Sequence, residues 1–350
     1  MWMSHKYKMG KVLKRGKIGP KVDKFQHYDI VVYAARGSNG ARRLATALGA
    51  RRWRDDLPER YQRRRPYFRG NNSPMVVNWG STVHPRWLED SRFRLKPVFV
   101  NHANGVEKAI DKLAFFQQAS GIDGVPLLKW TDKRETALSW ISKGKPVICR
   151  TKLGGSSGEG IVLARSAEQL VEAKLYTRYY PKTHEFRVHV FGNHVIDLTQ
   201  KRFKGGSDVR SESNTLVRSL DNGWVHAHNL IELRSSDRER VEAACGSIIA
   251  KLELQFGAVD VLAILDPPSA DGTRSLKSFV ICEVNTGPGL ENTVTIEAYK
   301  KAILELKNST ANTSAELERT RTADNNKTTI VVVEEQSNGS SVEGIPGDQP

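Results

Sequence analysis

The chain has 350 residues, 39% of them hydrophobic, and a formal net charge of +15. That apolar content suffices for one large core or two to three small ones, while no apolar run approaches the roughly 18–20 residues of a membrane span, which sets a membrane partner aside. Three widely spaced cysteines, Cys149, Cys245 and Cys282, offer neither metal spacing nor an even disulfide set, and the basic N-terminus lacks the apolar stretch of a secretory signal. The expectation is a cytoplasmic protein with reduced core thiols.

Charge is unevenly spread. Residues 305–350 hold four Lys or Arg against eight Asp or Glu, a net of −4, which leaves +19 for residues 1–304. The excess is densest before residue 70, in a Lys-rich arm at 6–24 and then Arg42, Arg43, Arg51, Arg52, Arg54, Arg60 and Arg63 to Arg65. Trp53, Tyr61, Tyr67 and Phe68 interleave with these arginines. Such a field suits anionic partners, among them nucleotide, acidic peptide and a polyanion such as RNA or DNA. A solvated basic surface with no specific partner remains open beside it.

In chain order, residues 1–26 are expected to be a disordered basic arm. YDIVVYAA (28–35) predicts a strand, and RGSNG leads into a helix, ARRLATALGA, closed by Gly49. Ser38, Asn39 and Gly40 lack a full phosphate-binding fingerprint, so a plain tight turn is the favoured reading there. MVVNWGS (75–81) and KPVFVN (96–101) predict two further strands of a small parallel unit. Asn78, Trp79 and Gly80 at a strand end are open to two roles, structural turn or wall of a substrate site. Val106, Ile110, Leu113 and Phe116 have helical spacing over 105–121, ending at Gly121; Lys112 lies off that stripe.

KPVICRTKLGGSSGEGIVLA (145–164) predicts two strands around a loop with Gly154, Gly155, Gly158 and Gly160 and the serines Ser156 and Ser157. Without Cβ atoms, such a loop lets backbone N–H groups come close to a phosphate. LYTRYY (175–180) precedes EFRVHVFGNHVI, an alternating strand pair turned at Gly192-Asn193. His184, His189 and His194 on these strands have no metal register and are assigned surface or packing roles. NGWVHAHN (222–229) reads as a loop over a substrate site. SDRERVEAACGSIIAKLEL (236–254) opens on a capping box, Ser236 to Glu239, and carries one apolar stripe.

The most informative stretch is AVDVLAIL (258–265) with FVICEVNTGPGL (279–290), two apolar strands joined by a polar turn. Asp260 sits inside the first, Glu283 and Asn285 inside the second. Carboxylates within apolar strands are costly unless paired or metal-bound. Residues two apart on a strand share a face, so these three hard oxygen donors suit Mg²⁺ held together with nucleotide phosphates. NTVTIEAYKKAILEL (292–306) predicts a terminal helix. Residues 307–350 read as an acidic Ser/Thr/Asn-rich tail, also expected to be disordered, in which only TTIVVVEE (328–335) is strand-like.

AVDVLAIL followed by ICEVNTGPGLENTVT resembles the C-terminal signature of the ATP-grasp superfamily, in particular the ribosomal-protein glutamate ligase (RimK-like) group. The resemblance extends more loosely over about Asp29 to Leu306. It implies a mixed α/β (α+β) class, with an ATP-grasp domain at 105–306, in subdomains of about 105–180 and 181–306, preceded by a Rossmann-like unit at 27–104. It further implies Asp260, Glu283 and Asn285 as ligands of Mg²⁺, two ions with Mn²⁺ as a substitute. Lys112, Arg150, Lys152, Gly154, Gly155, Ser156, Ser157, Gly158, Gly160, Arg178, Tyr179 and Glu185 would contact ATP, and Arg187 and Lys201 the reacting groups, with Arg202 nearby as a further cation. Two departures stand out: Arg150 replaces the lysine that the family has at that strand end, and Arg178 and Tyr179 replace an acid expected at the adenine hinge. Arg offers a planar fork and Lys a point charge, so the two are not interchangeable.

The implied activity is ADP-forming ligation of a carboxylate to an amine through an acyl phosphate, for instance an amino acid such as glutamate added to a peptide or protein end. The alternative is a nucleic-acid-binding protein with this fold and no ligase activity, which the basic body and arm favour. An intact metal triad is required by the first reading and not by the second.

Overall fold

A run of five buried residues, Ile30–Ala34, forms β1, apolar on both faces as an inner parallel strand must be. The computed structural model describes residues 29–56, 74–89, 97–154, 158–204, 215–228 and 233–312. The basic arm, residues 313–350 of the acidic tail with 328–335, and Arg60, Tyr61, Tyr67 and Phe68 lie outside them; residues 307–312, expected to begin the disordered tail, instead continue the terminal helix. After β1 the chain turns into α1 (Asn39–Ala47), where the Ser38 hydroxyl accepts the Ala41 amide at 3.2 Å as an N-cap. β2 (Arg51–Arg54), β3 (Met75–Asn78) and β4 (Val98–Val100) complete a four-stranded sheet of order β2-β1-β3-β4, parallel throughout. β2 was not anticipated, because RRWR has no apolar alternation to announce it. It is held by pairing with β1, by Arg51 over the Trp53 ring at 5.0 Å, and by Trp53 packed edge-on to Trp87.

The single helix expected over 105–121 is two, α2 (Ala103–Ile110) and α3 (Lys112–Ala119). Asp111 breaks them: its backbone is extended, and its carboxylate accepts the Ala114 amide at 2.9 Å, capping the second helix. Next, β5 (Trp130–Thr131), α4 (Arg134–Ser142), β6 (Val147–Arg150), β7 (Ile161–Ala164) and β8 (Leu175–Arg178) build a small antiparallel sheet of order β5-β8-β6-β7. Ala137, Val147, Cys149, Ala164, Leu170 and Tyr176 form its own core.

β9 (His184–Phe191) and β10 (His194–Phe203) pair across the expected two-residue turn at Gly192-Asn193. The loop expected over 222–229 contains a strand: Trp224–Ala227 is β11, paired with β10. α5 (Ser235–Lys251) starts one residue before the expected capping box and has no side-chain cap. Asp237, in its first turn, instead accepts the Leu276 amide at 2.9 Å. β12 (Phe256–Leu265) and β13 (Leu276–Asn285) complete an antiparallel sheet of order β11-β10-β9-β12-β13, followed by a helix, α6, from residue 293.

The largest core lies under this five-stranded sheet, where Phe186, Val188, Val190, Val259 and Val261 pack on α3 and α5. A second joins it to the front sheet, bringing Phe191, Phe256, Tyr299 and Ile303 against Val32, Leu44 and Trp79. The three cysteines are free and buried. Among the described residues no helix is long and apolar enough to cross a membrane.

Candidate active site

Alternation in β9 sends Phe186, Val188 and Val190 into the core and Glu185, Arg187 and His189 to the opposite face. Cross-strand register then sets a transverse row, Glu283 opposite Asp260, Asp260 opposite Arg187, Arg187 opposite Thr199. Arg187 grips Asp260 through two parallel bonds, Nε to Oδ1 at 2.6 Å and Nη2 to Oδ2 at 2.8 Å. Burial opposes both charges, but each outweighs it for the other: Arg187, with Lys201 and His226 behind it, holds the Asp260 carboxyl far below the usual range, and Asp260 raises the guanidinium. Glu185 is held by Lys182 at 2.8 Å and by Lys201. Burial pushes this carboxyl up, but the two lysines prevail and it ends below its ordinary value.

The row faces a cavity of about 670 Å³ between the five-stranded sheet and the small sheet. Ile148, Arg150, Thr177, Arg178 and Tyr179 line the opposite wall, and Gly154, Gly158 and Glu159 close over it. Leu128, Ile148 and Leu262, with Tyr179 and Tyr180, give the lining an apolar share suited to a flat heterocycle. Among the described residues, the buried Arg150 Nε and Thr177 Oγ1 find no hydrogen-bond partner, and both side chains line the cavity. Buried polar atoms of this kind point to a bound polar ligand.

Lys112, off the apolar stripe in sequence, nevertheless has a side chain only 12% exposed. It starts α3 beside the loop, donates to the Leu153 carbonyl at 3.3 Å and stands 3.9 Å from Glu283. Gly158 has φ +83°, and a Cβ there would fall 2.3 Å from the Val217 side chain, so only glycine lets the loop settle on the 215–220 turn. Gly160, at φ +74°, closes the loop's second root. Gly155, Ser156 and Ser157 lie outside the described residues. Lys152 is exposed and paired with Glu159, off the cavity wall, whereas Arg150 is on it. Arg202 is exposed and, unlike Lys201, does not line the cavity. His189 is buried and bonded to the Tyr299 hydroxyl at 3.1 Å, a packing role as expected.

Of the turn at 78–80, Asn78 is structural: its amide donates to the Ser81 and Asn101 carbonyls, each at 2.8 Å. Trp79 and Gly80 reach the cavity. Trp79 Nε1 donates to the Pro288 carbonyl at 3.2 Å, and a Cβ on Gly40 would lie 2.4 Å from that same oxygen. A Cβ on Gly287 would lie 2.9 Å from the Trp79 carbonyl. Close glycine contacts therefore stitch the front sheet to the loop that leaves Asn285.

Asp260, Glu283 and Asn285 are adjacent, with the Asn285 amide 3.4 Å from a carboxylate oxygen of each acid. Burial first, and then the Asp260 charge, raise the Glu283 carboxyl, against Lys112 and Arg150. Two carboxylates and an amide form no cluster of three or more His, Cys, Asp or Glu, and none occurs among the described residues. As a hard-oxygen donor set beside Lys112 and Arg150, they fit Mg²⁺.

Sequence reasoning did not single out Lys182, Thr199 or Thr177, all in or beside the cavity, and it set Trp224 and His226 over a substrate site only as part of the stretch 222–229. Lys182, three residues before Glu185 in PKTHEF, was the one with a local signal.

No family model matches the chain, and no curated protein sequence does. Solved structures do. D-alanine–D-alanine ligase from Bacillus anthracis superposes with a TM-score of 0.51 at 15% identity, over 83% of this chain and 99% of that one. The ATP-grasp ligase PsnB, complexed with the precursor peptide PsnA2 and AMPPNP, gives 0.50 at 12% identity, over 82% of this chain and 100% of that one. At such identities the likeness is one of fold: the chain has the ATP-grasp fold.

Proposed function

We propose that the protein is an ATP- and Mg²⁺-dependent carboxylate–amine ligase that forms ADP and phosphate through an acyl phosphate. The observation that carries this reading is the row Glu283–Asp260–Arg187 facing a cavity whose opposite wall offers Arg150 and a glycine loop. An acidic pair beside cations is what a triphosphate with its counter-ions requires, and a site that binds only polyanion has no use for it. D-alanine–D-alanine ligase and a PsnB bound to peptide and AMPPNP share the fold, which supports the same reaction class here.

In this reading the adenine occupies the apolar region at Leu128, Ile148 and Leu262, edged by residues 178–180. Arg150 and Lys112 hold phosphates from two sides, with Gly154, Gly158 and Glu159 beside them in the cavity wall. Asp260, Glu283 and Asn285 hold Mg²⁺, two ions for which Mn²⁺ substitutes; when bound, the metal offsets charge on the phosphates during transfer. Arg187, fixed by Asp260, and Lys201, fixed by Glu185, present positive charge toward the carboxylate that receives the phosphoryl group. The substrates are an amino acid or a peptide or protein end on each side, glutamate being one candidate. No nucleophilic side chain is needed, because the amine attacks the activated carboxyl directly.

The test is Mg²⁺-dependent ADP release from ATP, screened over amino acids and short peptides in pairs. Release that requires both a carboxylate and an amine, with amide product by mass, is expected. ATP binding without release across the whole panel would remove the ligase claim.

A further inference from the structure

The end of the cavity away from the acidic corner is closed by β11, the edge strand. His226 and Trp224 line the cavity from this strand, with Lys201 directly opposite His226 in register. The Arg218 guanidinium lies 4.5 Å over the Trp224 ring, which adds another cation to this end. No step of the ligation described above uses His226.

Its hydrogen bonding accommodates the tautomer with the proton on Nδ1. With the buried Thr199 hydroxyl donating to the Arg187 carbonyl at 3.4 Å, its oxygen accepts from His226 Nδ1, 3.2 Å away. A proton on Nδ1 leaves Nε2 with a lone pair on a side chain that borders the cavity. Burial first, and then Arg187, push this imidazole down to about 3, so the lone pair is available throughout the physiological range. The cations that disfavour imidazolium also disfavour an ammonium group at the same place, so an amine enters this end neutral.

We infer that His226, through Nε2, accepts the proton released by the attacking amine, a role that rests on the ligase reading above. As the amine nitrogen bonds to the acyl carbon, the bond from that carbon to the phosphate oxygen breaks and the oxygen leaves with the electron pair. One proton passes from nitrogen to Nε2. The imidazolium, still donating from Nδ1 to Thr199, returns it to solvent or to the departing phosphate. Negative charge brought by the phosphates offsets Arg187 and Lys201 at that moment and stabilises the imidazolium.

Hydroxylamine separates this role from a structural one, because it is largely neutral at pH 7 and attacks acyl phosphates without a base. Full-length protein and the His226→Gln variant are given ATP, Mg²⁺ and an equimolar pool of the common amino acids, with and without hydroxylamine. The readout is the ratio of amide to hydroxamate. A ratio at least 100-fold lower in His226→Gln is expected, and a smaller fall in Thr199→Val, which loses the bond to Nδ1. An unchanged ratio in both variants, whether both products drop together or neither does, would overturn the inference. Wild-type protein that makes neither product would overturn the ligase reading, and this inference with it.

Discussion

Asp260 is the most constrained carboxylate of the site, because its two oxygens serve Arg187 and, in the proposed reaction, the metal as well. Asp260→Asn weakens both at once, whereas Glu283→Gln removes charge only from the metal corner. Turnover in either variant is expected to fall by about two orders of magnitude, on the order of 2.7 kcal/mol, with ATP affinity changed less, as ADP release and nucleotide titration would read. The double variant should cost much less than the sum, since both residues act through one cluster. Normal turnover by Glu283→Gln would show that this acid is not a ligand. Arg150 and Lys152 also separate at this scale. Arg150→Ala should weaken ATP binding at least 10-fold, while Lys152→Ala, whose partner is the exposed Glu159, should stay within about two-fold; equal effects would mean that the loop closes with Lys152 inside.

At the scale of elements, the two hairpins were legible because Gly and Pro punctuate apolar runs, and the acids were conspicuous because apolar strands rarely tolerate them. The break at Asp111 was not, since an apolar stripe continues through it and only the carboxylate's bond to Ala114 decides the matter. Nor was the pairing of Lys182 and Lys201 on Glu185, or the contact of Thr199 with His226, because register between distant strands brings those residues together. Two of the imidazoles on β9 and β11, His189 and His226, are each pushed down to about 3 by burial and then by Arg187, with Asp197 and Asp260 opposing at His189 and Asp260 and Glu185 at His226. The unfolded chain therefore binds more protons than the native one between pH 6.5 and about 3. Stability is full above this window and falls as pH drops through it, at most about 1.4 kcal/mol per pH unit for each histidine. Urea midpoints should decline from pH 7.5 to 5.5, and more shallowly in His189→Gln, whose amide can keep the bond to Tyr299. Parallel declines in the two proteins would exclude His189 as a contributor.

Across the whole molecule, the front sheet and the five-stranded sheet share a core through Phe191, Phe256 and Tyr299, and glycines seal their junction. Gly40→Ala drives a Cβ into the Pro288 carbonyl, and overpacking of this kind costs about 1–3 kcal/mol. Because the displaced loop leaves Asn285, turnover should drop along with the melting temperature, and loss of stability alone would mean that the seam does not position the metal corner. The small sheet is different. It has a core of its own and meets the largest one through Leu175 and the partly buried Trp130. In calorimetry, a chain so divided is expected to melt in two overlapping steps, the small sheet with α4 first. A nucleotide lying in the cavity touches both sides of that division, so Mg·ATP at about 100 times its dissociation constant would add roughly 2.7 kcal/mol and fuse the two steps into one. The ligand would then act as a missing piece of shared core, changing the number of cooperative units in the molecule as well as the temperature at which they fail.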